Sequence, residues 1–306
     1  MNRKRFLIKL LIMGICVILL DRAIGGLLRH YYFKIRHGEQ GRTTYAIDSC
    51  LTDLVILGSS RAAHHYASPI ISENLHLTCY NAGKDKQELI YCLAMLRMMY
   101  KRYDPRDVIL DLNPTAFETR ENGLDELSVL LPYYHKHREI RNLVDLRNRF
   151  EWLKVYSDLY CYNSLALQII FNNFSNERDA HETSGYVPLA IRKEIIPDKS
   201  EPFPGSSPLD SNNVHFFNDI ISLTKEHHTR LYVVVSPVYY TLPADFKTIE
   251  MAKSICLREK IVFLDYSRSA TFLDNGPAMF RDREHLNDSA AVIFSKMLSD
   301  SLKNIQ

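Results

Sequence analysis

None of the six cysteines stands in a CxxC pair: they are scattered as Cys16, Cys50, Cys79, Cys92, Cys161 and Cys256, a spacing that argues against a zinc site. GxGxxG and Walker loops are absent, so nothing signals a nucleotide site. GxSxG is absent too, and with it the nucleophile elbow of the α/β-hydrolases. There is no low-complexity tract and no internal repeat, and tryptophan occurs once against 18 tyrosines. Excess positive charge is missing from most of the chain. The formal net charge of +2 over 306 residues hides an asymmetry: residues 1–36 hold eight Lys and Arg against Asp21 alone, and the remainder holds 30 basic and 35 acidic residues. A nucleic-acid partner, whose phosphates call for a basic face, is therefore not expected.

What is present begins with a basic and apolar N-terminus. MNRKR precedes FLIKLLIMGICVILL, and DRAIGGLL follows. Phe6 to Leu28 is 23 residues, enough as a transmembrane helix for a hydrocarbon core of about 30 Å, with Lys9 able to snorkel. Positive charge ahead of the segment predicts a single pass through the cell membrane, with residues 37–306 extracytoplasmic, in a periplasm or its equivalent. Asp21-Arg22 interrupts the span and leaves only Leu10 to Leu20 unbroken. The rival reading is a cleaved signal peptide, with Ala23-Ile24-Gly25 as a poor cleavage site. Export would permit disulfides, and buried free thiols are the plainer reading of the cysteines. The chain thus divides into an N-terminal membrane anchor, 1–36, and one exported domain, 37–306.

Five β-rich runs punctuate that domain: Asp53–Leu57, Leu77–Tyr80, Asp107–Leu112, Leu231–Val235 and Ile261–Leu264. Three are nearly continuous apolar stretches, as expected for strands covered on both faces. Helical patterns lie between and after them, over Ala62–Glu73, Lys86–Tyr103, Asn213–His228, Phe246–Arg258 and Asp288–Lys303. The alternation predicts an α/β fold with a parallel, doubly wound sheet. Residues 115–210 break it. They carry no strong strand, look mostly helical over Leu124–Phe174, and end in the Pro-rich EPFPGSSPLDSNN. This block reads as a helical insertion that serves as a lid, a partner surface or extra core.

Ligands of a parallel sheet bind beyond the carboxyl ends of its strands, so the residues following each run carry the chemistry. After the first comes Gly58-Ser59-Ser60-Arg61. Gly58 permits a tight turn, and Ser60 then opens a helix, either as a nucleophile or, with Ser59, as an ordinary N-cap. After the second comes Asn81-Ala82-Gly83, whose glycine offers a bare N–H to a substrate or simply makes a turn. After the third comes Asn113-Pro114, an oxyanion donor or turn chemistry. Near the C-terminus stands Asp282-Arg283-Glu284-His285. Asp and His three apart in a turn lie on one side of it, so the carboxylate can hold Nδ1–H and turn Nε2 toward a serine. Asp288-Ser289 is a candidate N-cap for the last helix. His64 and His65 follow the serine turn, His227-His228 ends a helix, and His135 and His137 suit a surface; each of these is read as structural before catalytic.

As an ordered set, a Ser turn, a Gly turn, an Asn turn and D-x-x-H before the last helix, the pattern resembles the SGNH (GDSL-like) hydrolase superfamily over about residues 50–115 and 228–303. The resemblance implies a three-layer α/β/α fold around a five-stranded flavodoxin-like sheet. It maps the nucleophile onto Ser60, the base and its partner onto His285 and Asp282, and the oxyanion hole onto Ser60, Gly83 and Asn113, with Arg61 and His64 beside the substrate pocket. Ser59 and Arg61 replace the Asp and Leu of the GDSL form, and Asp111 stands where the third block has Gly. With an anchor and a GSSR-type first block, the chain also resembles exported SGNH proteins that move or remove acyl groups on envelope polymers, among them alginate acetylation and D-alanyl transfer proteins. The reading is an exported serine esterase or O-acyltransferase acting on an acyl ester or glycan, with a membrane acyl-donor partner and no metal or organic cofactor. The alternative is a non-catalytic envelope protein of the same fold that binds glycan or a membrane partner.

Overall fold

Period-two alternation sends Val55 and Leu57 of the first strand to one face and Leu54 and Ile56 to the other, and all four are buried. A strand apolar on both faces needs helices on both, and that is what the chain builds. The computed structural model describes residues 3–120, 123–174, 183–190, 201–203 and 207–305. One sheet holds β1 (Leu54–Leu57), β2 (Cys79–Asn81), β3 (Asp107–Asp111), β4 (Arg230–Val235) and β5 (Val262–Asp265), all parallel, in the order 2-1-3-4-5. A separate two-residue parallel pairing joins Glu201–Pro202 to Tyr240–Thr241.

The helices are α1 (Arg3–Lys34), α2 (Gly38–Asp48), α3 (Ser60–His65), α4 (Ser68–Leu75), α5 (Leu89–Met99), α6 (Arg141–Val144), α7 (Glu151–Lys154), α8 (Ala166–Asn173), α9 (Ser211–Glu226), α10 (Lys247–Glu259), α11 (Ala270–Leu273) and α12 (Asp288–Lys303). Residues of α5, α9 and α10 pack on the Val55 face; those of α3, α4 and α12 pack on the Leu54 face. The order reverses at β1, so the crevice between the carboxyl ends of β1 and β3 is the switch point where such sheets take ligands.

Several expectations shift. The helix foreseen over Ala62–Glu73 is two: the chain leaves helical backbone at Tyr66 and Ala67, and Pro69, which lacks an N–H, falls in the first turn of α4, where none is needed. Unforeseen α2 is propped from outside: Arg102 donates to the carbonyls of Ala46, Ile47 and Cys50 at its end. The stretch Leu124–Phe174 is a chain of short helical segments, of which the nine-residue 3-10 segment Asp125–Tyr133, with Pro132 inside it, and the eight-residue α8 are the longest. Leu127, Leu130, Leu131 and Tyr133 are buried there, so this part of the insertion is core. Residues 175–182, 191–200 and 204–206 of the insertion lie outside the described residues. His135 is exposed, as expected, with its Nε2 2.8 Å from the Val155 carbonyl, whereas His137 is buried against Glu139 and is not the surface residue expected. All six cysteines are free thiols, and all but Cys16 are buried.

The N-terminus also departs from expectation. Among the described residues no helix is long and apolar enough to cross a membrane. Lys9 and Asp21 bound the longest unbroken apolar run of α1, Leu10 to Leu20. From Asp21 onward the body holds the helix: Ser157 Oγ and the Asp158 and Leu159 amides donate to the Asp21 carboxylate, and Arg22 pairs with Asp158 at 2.9 Å. The crossing foreseen from Phe6 to Leu28 is thereby corrected, since its last third is docked on protein.

Candidate active site

Gly58 leaves β1 with φ +148°, where a side chain is strained; a Cβ there would also meet Ala62 Cβ at 2.8 Å and Asp111 at 3.0 Å. This turn places Ser59 at the N-cap of α3 and Ser60 at its first position. Neither serine caps the helix with its side chain. Ser59 Oγ is buried without a partner, whereas Ser60 Oγ lies 2.7 Å from His285 Nε2. The other ring nitrogen, Nδ1, faces Asp282 Oδ1 and Oδ2 at 2.9 and 3.0 Å.

His285 comes from a closed turn. Arg281 N–H donates to the His285 carbonyl at 2.7 Å, and the Asp282 carboxylate accepts from the Glu284 and His285 amides. Burial pushes the Asp282 carboxyl up, but the His285 side chain and those amides outweigh it and hold the carboxyl below its ordinary value. Asp282 thus stays an anion that fixes the imidazole tautomer. The N-cap of α12 is Asn287, which accepts from the Ala290 amide at 3.1 Å, rather than Asp288-Ser289.

The expected oxyanion donors separate. Ser60 N–H, at the start of α3, has no partner among the described residues. Asn113 Oδ1 accepts from both the amide and the hydroxyl of Thr115 at 3.0 Å, which leaves its Nδ2 as the outward donor. Gly83 is different. Its N–H already donates to Asn81 Oδ1 at 3.0 Å, and a Cβ on it would sit 2.4 Å from the Ala63 amide. It packs closely beneath α3, and the N–H expected to face a substrate is engaged within the protein.

The two departures from the GDSL pattern meet each other. Arg61 is 1% exposed, and its Nε lies 3.8 Å from Asp111 Oδ2. Tyr66 OH donates to Asp111 Oδ1 at 2.6 Å, and Arg61 donates to Ser236 Oγ from Nε and Nη2 at 3.1 and 2.7 Å. His65 joins them. The Leu286 amide donates to His65 Nε2 at 3.0 Å, leaving its proton on Nδ1, 2.9 Å from Ser236 Oγ. Burial first, then the charge of Arg61, holds His65 well below its ordinary value, so it is neutral. His64 is committed to the Val187 carbonyl and to Asp85, with its ring edge-on to His285 at 5.7 Å.

Sequence reasoning missed Ser236, although it directly follows the fourth apolar run. It also missed the strap formed by residues 183–190. Val187 N–H donates to the Ala63 carbonyl, Asp288 N–H to the Leu189 carbonyl, and Tyr186 OH to Asp288, which ties α3 to the start of α12. No helical or strand periodicity in TSGYVPLA pointed to this.

A small cavity of about 50 Å³ beside the triad is lined by Arg61, Asn113, Thr115, Tyr240 and Glu284. Arg120 lines both this cavity and a larger one of about 410 Å³, where it pairs with Glu88. Among the described residues no cluster of His, Cys, Asp or Glu could hold a metal ion. Burial pushes the Glu88 carboxyl up from 4.5 to about 7 despite Arg120. The folded state therefore keeps a proton that the unfolded chain releases, and this contribution to stability is lost as pH rises through about 7. Glu88→Gln cannot ionise. It should gain about 2–3 kcal/mol over the parent chain between about pH 5 and pH 8, read from urea midpoints; an equal difference at both pH values would refute this.

No protein-family profile matches the chain, and no curated protein matches it in sequence. Among solved structures it is similar to the crystal structure of "a putative acylhydrolase" from Bacteroides fragilis, at 12% identity and a TM-score of 0.43, over 87% of this chain and 97% of that one. The likeness is too slight to bear on the site.

Proposed function

We propose that this chain is a serine esterase or O-acyltransferase of SGNH type, attached to a membrane through α1 and acting on an acyl ester of a glycan or similar polymer. One observation carries the reading: Ser60 Oγ, His285 Nε2 and the Asp282 carboxylate stand in hydrogen-bonded sequence at the carboxyl end of the sheet. His285 Nε2 takes the Ser60 proton as Oγ attacks the ester carbonyl. The oxyanion is held by Ser60 N–H and Asn113 Nδ2. Collapse expels the alcohol, which receives the proton from His285. The acyl-Ser60 intermediate then passes its acyl group to water or to a sugar hydroxyl, again with His285 as base. The Arg61–Asp111 pair is the internal replacement for the family's Leu and Gly.

A fluorophosphonate probe tests the reading, because it phosphonylates only an activated serine. Mass spectrometry should find the adduct on Ser60 in the parent chain and none in His285→Ala. A folded parent chain that stays unlabelled would overturn the proposal in favour of a binding protein of the same fold.

A further inference from the structure

Exposed apolar side chains gather, among the described residues, on a face remote in sequence from Ser60 and His285. On α1, Leu20, Ile24, Leu27 and Tyr31 recur at steps of four, three and four, so they share one face, and each is at least 40% exposed. On α8 and its C-cap, Leu167, Ile170, Phe171 and Phe174 recur at i, i+3, i+4 and i+7, so they also share one face, and they are between 52% and 85% exposed, while Ile169 on the opposite side is buried. The two helices are neighbours: α8 packs on α1, and Asn173 Nδ2 donates to the Tyr31 carbonyl at 3.2 Å. Trp152 and Tyr156 are 52% and 64% exposed on α7 and the turn after it, the turn whose next residues hold Asp21. Free-standing soluble chains rarely expose such contiguous apolar surface.

We propose that this face, formed by α8, the α7 turn and the Leu20–Tyr31 stripe of α1, rests on the surface of an anionic lipid bilayer. On this arrangement α1 enters the lipid obliquely, and the body is held by two contacts instead of hanging from a tether. The inference rests on the reading of α1 as membrane-attached and is independent of the catalytic assignment.

Three features favour lipid over a protein groove. From Phe6 to Leu20 the large apolar residues of α1 are exposed on every side, between 47% and 64%; a groove covers one face of a helix, whereas a lipid phase covers all. That free segment is about 15 residues, or roughly 22 Å, short of a bilayer core of about 30 Å, which suits oblique insertion. Finally, cations stand beside the apolar stripes, Arg29 and Lys34 on α1 and Arg149 near Trp152, in addition to Arg22 and Lys154, which pair with Asp158 and Glu151. Such a border matches anionic headgroups, and Trp and Tyr rings favour the headgroup level.

Trp152 is the only tryptophan in the chain and therefore reports on this face without any labelling. The full chain, purified in detergent, is transferred to phosphatidylcholine vesicles with and without phosphatidylglycerol. Flotation reads attachment; Trp152 emission reads the face. The proposal expects a shift to shorter wavelength, quenching by a lipid-borne nitroxide near the headgroup, and loss of quenching by aqueous iodide, all stronger with phosphatidylglycerol. Phe171→Asp with Phe174→Asp should still float but restore iodide quenching, with unchanged far-ultraviolet circular dichroism. If the parent chain floats while Trp152 stays open to iodide, the second contact is wrong and the α1 attachment stands. Failure to float overturns both. An emission shift that follows protein concentration in detergent alone, with no effect of the nitroxide lipid, would assign the face to a second copy of the chain and overturn the bilayer.

Discussion

Ser60→Ala is expected to lower turnover of a small acyl ester such as p-nitrophenyl acetate by about 10⁴- to 10⁶-fold, and His285→Ala by a similar factor, because nucleophile and base act as a unit. The double variant should lose no more than the worse single one. Asp282→Asn separates the roles further. An asparagine amide cannot take the two bonds that the carboxylate offers His285 Nδ1 at 2.9 and 3.0 Å. It would favour the tautomer whose proton sits on Nε2, facing Ser60 Oγ, and so block proton abstraction. A loss of about 10⁴-fold in kcat with little change in KM is the expected result. Ser59→Ala is the counterpart that tells the two adjacent serines apart. Its hydroxyl is buried and unpartnered, so activity should stay within a few-fold and stability should hold or rise. Equal losses for Ser59→Ala and Ser60→Ala would sink the assignment of Ser60.

Arg61→Leu restores the residue type of the GDSL form, yet it should destabilise this chain by about 3–5 kcal/mol, because it strands the Asp111 carboxylate in the interior. The Asp111 side chain is 0% exposed and would keep only the Tyr66 hydroxyl. The same change removes the donors that Ser236 accepts, and Ser236 in turn faces His65, the residue that takes the Leu286 amide next to the base. Asp111→Asn alone should cost a comparable amount by leaving the guanidinium without its counter-charge. Together the two changes should cost less than the sum, with a coupling of about 1–3 kcal/mol in urea denaturation of the four chains. Additive losses would mean that the 3.8 Å approach of Arg61 to Asp111 carries no energy of its own.

The two pairs differ in how they were found. Asp282 and His285 are three residues apart, and a turn at that spacing puts both on one side, so their contact was legible before any fold was known. Arg61 and Asp111 lie on different elements and look, one at a time, like mismatches to a family pattern. Their pairing arises only because β1 and β3 are neighbours, Leu57 opposite Leu110, and because Gly58 turns α3 back over the end of β3.

Local pattern alone determined the sheet and most of the helices around it. Short apolar runs rich in β-branched residues and bounded by turns read as strands covered on both faces, and α12 begins and ends where the sequence placed it. The position of Ser60 at a strand-to-helix turn followed from Gly58 in the same local way. Contacts between distant segments decided the rest. Gly83 packs beneath α3 with its N–H donated to Asn81 Oδ1, a partner that only the fold supplies. Helix α2 exists because Arg102 reaches its carbonyls from 55 residues away. The apolar N-terminus is docked from Asp21 onward because a turn 136 residues later supplies the donors for that carboxylate. Side-chain period and turn chemistry are written in neighbouring residues, whereas the partner of a buried charge or a free N–H is chosen only when the sheet brings remote segments together.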